Sequence, residues 1–72
     1  MSHPNRTEFR SSLLASAQYL ADERALLLTF ASGEVYRYDS VERSLFDGLL
    51  RAPSAGSYFN RNLRGRFPCS RL

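Results

Sequence analysis

The sequence predicts a small α+β domain: a three-stranded antiparallel β-meander, then an amphipathic helix and a short second helix, in the order β-β-β-α-α. Three observations carry that reading. The run ALLLTF, residues 25–30, alternates with a period of two and puts Leu26, Leu28 and Phe30 on one face. The ASGE turn that follows offers Gly33 for the positive φ of a tight hairpin and leads into EVYRYD, rich in β-branched and aromatic residues. After Ser40 the period lengthens, and Val41, Leu45, Phe46, Leu49 and Leu50 form one stripe of a helix.

Each element follows in order. Residues 1–10 are polar, contain a proline and lack periodicity, so a flexible N-terminal arm is expected there, with a single domain over 11–72. The first strand is LASAQY, Leu14 to Tyr19, which alternates only weakly. Asp22 and Glu23 form the polar turn to the second strand. In the third strand, alternation puts Tyr36 and Tyr38 on one face, with Val35 and Arg37 on the other. Asp39 and Ser40 are both good N-cap types for the helix. Glu42, Arg43, Asp47 and Arg51 take its polar face, and Gly48 is expected to let it approach the sheet closely. Pro53 ends it near Arg51. Ser54 or Ser57 can cap the second helix, with Tyr58, Phe59 and Leu63 as its apolar contacts. Gly65 stands at the C′ position and Pro68 lies just beyond.

Length and composition exclude several classes. With 72 residues there is one core, and a chain this short buries only about 60% of its unfolded surface. The single cysteine, Cys69, cannot form an internal disulfide, which points to a reducing, cytoplasmic setting. Cys69 and His3 are too few to close a zinc site, so neither metal nor other cofactor is expected. The N-terminus has no apolar run to make a signal peptide, and the longest apolar run, Ala25 to Leu28, is far from a membrane span.

Chemistry in the sequence favours binding over catalysis. His3 falls in the expected arm, Cys69 has no base partner, and Asp39, Glu42 and Asp47 fit cap and helix-surface roles. Neither phosphate-loop nor dinucleotide glycine motifs occur. The expectation is a non-enzymatic module. All ten basic residues are arginine, and the net charge is +3. Guanidinium groups fork onto phosphate, and exposed rings stack on bases. The candidate nucleic-acid-binding set is therefore Tyr36, Arg37, Tyr38, Tyr58, Asn60, Arg61, Arg64 and Arg66, for RNA or single-stranded nucleic acid bound weakly. The alternative is a protein-interaction or self-association module using a sheet edge or an aromatic patch. One geometric observation separates them: nucleic-acid binding wants Arg37, Arg61, Arg64 and Arg66 on one face, and scatter favours protein docking.

Three stretches carry a resemblance to a known family. SSLLASAQY (11–19), LLLTFASGEVYRYDSV (26–41) and LFDGLLRAPSAGSYFNRNLRGRFP (45–68) together resemble a KTSC domain. The marks are Ser11-Ser12, Gly33, the Tyr36-Arg37-Tyr38 triplet, Leu49-Leu50, Ala52, Ser54, Gly56, Tyr58-Phe59-Asn60 and Phe67-Pro68. Glu42 stands where the family often has proline, and Ala17 where it has a larger apolar residue. That module occurs at the C-terminus of some lysyl-tRNA synthetases and in freestanding bacterial and phage proteins. The resemblance thus implies a KTSC-like domain over 11–72 and, by analogy, contact with RNA.

Overall fold

The computed structural model describes residues 5–72; His3 and the first part of the expected arm lie outside the described residues. It is an α+β fold with one antiparallel sheet and two helices, but the sheet has five strands rather than three. Its strands are β1 (Arg6–Glu8), β2 (Leu14–Leu20), β3 (Ala25–Phe30), β4 (Val35–Tyr38) and β5 (Cys69–Arg71), in the spatial order β1-β2-β3-β4-β5. The helices α1 (Arg43–Arg51) and α2 (Ala55–Asn62) separate β4 from β5. None of the described helices is long and apolar enough to cross a membrane.

The predicted meander is the centre of this sheet, and the two added strands are its edges. Within the expected flexible arm, Arg6, Thr7 and Glu8 pair with Gln18, Ala17 and Ser16. Tyr19 N donates to Asn5 O and Phe9 N to Ala15 O, which extends that ladder. At the opposite edge Cys69, Ser70 and Arg71 pair with Tyr38, Arg37 and Tyr36. Both edges are three residues long, the polar RTE and CSR. Backbone hydrogen bonds to a preformed neighbour hold them, so they leave no apolar period to read.

Strand β2 alternates weakly because it contains a bulge. Leu14 pairs with Phe30, yet Ser16 pairs with Thr29, so Ala15 is the extra residue. The shift lets Leu14, Ala17 and Tyr19 all face the helices, three residues that strict alternation would split. Leu26 and Leu28 of β3 join them, fully buried.

Helix α1 begins later than the N-cap chemistry suggested. Ser40 adopts φ 61° and turns the chain, and the N-cap is Glu42, whose side chain makes no capping bond. Helix α2 is capped as expected by Ser54, whose Oγ accepts from Ser57 N at 3.2 Å. The chain leaves α2 through Gly65 at φ 71°, two residues past the Leu63 C-cap. Val41, Phe46, Leu49, Phe59 and Leu63 cover the inner face of the sheet, all at most 4% exposed. The Tyr19 hydroxyl donates to Val41 O at 2.7 Å and so ties β2 to the start of α1. Gly48 serves a different neighbour from the one expected: the space above it belongs to Tyr58 of α2, not to the sheet.

Candidate functional site

Register sorts the candidate residues before any side chain is considered. Cross-strand partners share a face, so Arg6, Gln18, Leu27, Arg37 and Ser70 form one row on the open side of the sheet. Glu8, Ser16, Thr29 and Val35 form the next row on that side. Neither row contains a ring, so the open face offers nothing on which a base can stack. Tyr36 and Tyr38 lie on the helix-covered side, with Arg71 and Cys69 as their β5 partners.

Arg37 is committed to its own face. Its Nε donates to Asp39 Oδ1 and its Nη1 to Glu23 Oε1, both at 2.8 Å. The hydrogen bonds from Asp39 and then Glu23 raise the guanidinium's pKa from its ordinary value. The Glu23 partner comes from the β2–β3 turn, where Arg24 takes φ 51°. A phosphate would have to displace two carboxylates to reach this group.

On the other side, the rings gather around a cleft between the β3–β4 hairpin and the end of α2. Phe30 packs edge-to-face on Tyr36 and Phe59 at 5.6 and 5.4 Å between centroids, and Tyr38 on Phe59 at 5.9 Å. This cluster floors an open cleft of about 660 Å³, rimmed by Ser32, Glu34, Asn60, Arg64, Gly65 and Cys69. Tyr38 is buried, and Tyr36 is half-buried against the core. Burial is the chief cause that raises the Tyr38 pKa; Cys69 and Tyr36 push it the same way, and Arg64 pulls it down. Arg64 and Cys69 line the same cleft as Tyr38, and Cys69 is its cross-strand partner on β5.

Among the described residues, the rim carries one arginine, Arg64, and one carboxylate, Glu34. Arg64 Nη1 is 3.4 Å from Asn60 Oδ1, an exposed and weak contact. Glu34 is the rim's carboxylate, and it is held by Arg71 Nη1 at 3.4 Å. Exposed Arg66 lies in the turn after α2. Arg61 sits beside Tyr58 and Asn62 in a smaller groove of about 290 Å³. The Tyr58 ring is half-buried there, with its hydroxyl donating to Leu45 O at 3.0 Å, and burial raises its pKa.

Of the sequence-predicted set, then, Tyr36, Tyr38, Asn60 and Arg64 meet at one cleft. Arg61 and Tyr58 lie around α2 from it, with Arg66 just beyond, and Arg37 is on the far side of the sheet. Sequence reasoning passed over Phe30 and Cys69 as parts of this site. The signal for Cys69 was its place just after Pro68, opposite Tyr38 in a strand too short to recognise.

Comparison with known proteins places this architecture. The sequence model described as the KTSC domain matches residues 10–67. An uncharacterised protein from Stutzerimonas stutzeri is 38% identical over 56 residues, which are 78% of this chain and 79% of that protein. A lysine–tRNA ligase from Nostoc punctiforme is 34% identical over 61 residues, 85% of this chain but only 11% of the ligase. The crystal structure of a KTSC domain protein from Yersinia pestis superimposes with a TM-score of 0.89 at 28% identity, covering 93% of this chain and 94% of that one. The chain belongs to the KTSC domain family.

Proposed function

We propose that this chain is a small non-enzymatic module that binds RNA or other single-stranded nucleic acid weakly, through the arginine-bearing end of α2. One observation carries the reading. Arg61, Arg64 and Arg66 fall within six positions, and among the described residues no carboxylate engages any of them. No acidic residue follows Asp47 in the chain, and the nearby rim carboxylate, Glu34, is paired with Arg71 rather than with these three. The match to part of a lysine–tRNA ligase supports RNA as the first candidate. Arg37 has no part in the proposed grip. The non-enzymatic reading is supported by the rim chemistry: the Ser32 hydroxyl donates to Glu34 Oε1 only through a long, exposed 3.4 Å contact, and among the described residues the rim has no histidine to serve as a base.

A second reading, docking of a protein partner, is favoured by the apolar ring floor of the cleft and by the separation of Arg37 from the other arginines. Salt separates the two. Titration of labelled single-stranded RNA at low and moderate salt is expected to show binding that weakens steeply as salt rises. Each phosphate contact on a single strand contributes about 0.7 to the salt slope. The triple variant R61Q/R64Q/R66Q is therefore expected to flatten that slope by about 2 and to weaken low-salt binding at least about tenfold. All three side chains are on exposed residues, so the fold is expected to persist. Absence of RNA binding at low salt by the folded protein defeats the nucleic-acid reading.

A further inference from the structure

We infer that the aromatic cleft is a base pocket: it takes one unstacked nucleobase of a strand whose phosphates lie along Arg61, Arg64 and Arg66. This rests on the nucleic-acid reading above and adds what that reading leaves open, namely how a duplex is refused. The cleft's volume of about 660 Å³ lies within the usual range for small-ligand sites, roughly 300–1,000 Å³. Its floor is aromatic, and a base gains most of its affinity for a single-strand site from such rings. Tyr36 and Phe30 are the half-buried rings among them, and Tyr38 and Phe59 are buried.

The rim selects among occupants. Arg64 stands at the mouth with the Asn60 amide beside it, held only by their mutual 3.4 Å contact. A base entering over Tyr36 brings its own phosphate to Arg64 and its polar edge to Asn60. The Glu34 carboxylate would repel that phosphate, but Arg71 already pairs with it. An apolar side chain in the same place would satisfy the rings and leave both polar rim groups desolvated. In a duplex the bases are stacked and paired, so only the phosphate contacts are open to it. The arginines alone bind either form; the cleft distinguishes them.

Cys69 reports on occupancy because it lines the cleft, is exposed and is the chain's sole thiol. The test measures its rate of alkylation by a maleimide in the presence of a short single-stranded RNA and of a duplex of equal length. Saturating single strand is expected to slow alkylation about tenfold, while bound duplex leaves it unchanged. Protein already carrying the maleimide is expected to bind the single strand about tenfold more weakly, which erases its preference over duplex. Cys69→Ser, treated identically, should keep that preference, which ties the loss to this thiol. Single-strand binding with unchanged Cys69 reactivity overturns the base pocket and leaves the phosphate reading standing. Absence of any oligonucleotide binding at low salt removes both. An aromatic peptide that protects Cys69 where no oligonucleotide does overturns the inference in favour of protein docking.

Discussion

Phe46→Ala is expected to destabilise the domain by about 3–5 kcal/mol, a large share of its stability. The ring is fully buried and stacks on Tyr19 at 5.5 Å between centroids with planes 16° apart. Tyr19 in turn holds Val41 O, and the Arg43 guanidinium lies 5.8 Å from the centroids of both rings. Phe46 is thus the piece of α1 that clamps the helix onto β2. A chain of 72 residues has a total stability of only about 4–11 kcal/mol at the usual amount per residue. The variant's thermal midpoint should fall by at least about 12 °C. A fall of a few degrees would mean that α1 is not seated through this ring.

Gly48→Ala reverses the usual rule for helices. Alanine is favoured over glycine by about 1 kcal/mol within a helix, yet here the substitution should destabilise by about 1–3 kcal/mol. A Cβ at position 48 would overlap the Tyr58 hydroxyl and sit 2.8 Å from Cζ and 3.0 Å from Cε2. The ring must swing away, which breaks its hydrogen bond to Leu45 O and loosens α1 from α2. Removing the ring should restore the rule. In a Tyr58→Ala background, Gly48→Ala is expected to stabilise by about 1 kcal/mol, so the cycle shows a coupling of about 2 kcal/mol or more. Denaturant unfolding of the four proteins measures it. Tyr58→Phe should relieve the clash only in part, because Cζ remains. Stabilisation by Gly48→Ala with Tyr58 intact would contradict the packing.

These two residues mark how far the sequence could be read. The apolar stripe from Val41 to Leu50 placed Phe46 in the core, because a 3.6-residue period states which face is buried. It could not say that Gly48 faces a second helix, since that depends on how α1 and α2 cross. The β3–β4 hairpin was legible from Gly33, which takes φ 98°, and α2 from its Ser54 cap. The edge strands were not, for RTE and CSR owe their conformation to neighbours rather than to their own pattern. The N-cap expectation failed at Ser40, which turns the chain in the left-handed region where capping chemistry predicted a helix start.

The site was legible only as a residue set. Alternation separated Tyr36 and Tyr38 from Arg37, and the sheet keeps them apart. The ion pair that binds Arg37 to Glu23 spans 14 positions and is invisible in either strand alone. The cleft itself needs β5, so Cys69 had no place in it until the fifth strand was known.

The central claim is about location: a single strand grips the end of α2 and its cleft, and the open sheet face takes no part. Backbone amide shift mapping with a short single-stranded RNA at low salt tests it most directly. The account predicts changes confined to Tyr36, Tyr38, Asn60, Arg61, Arg64, Gly65, Arg66 and Cys69, with Gln18, Leu27 and Arg37 unmoved. Changes centred on Gln18, Leu27 and Arg37, with the cleft silent, would contradict it.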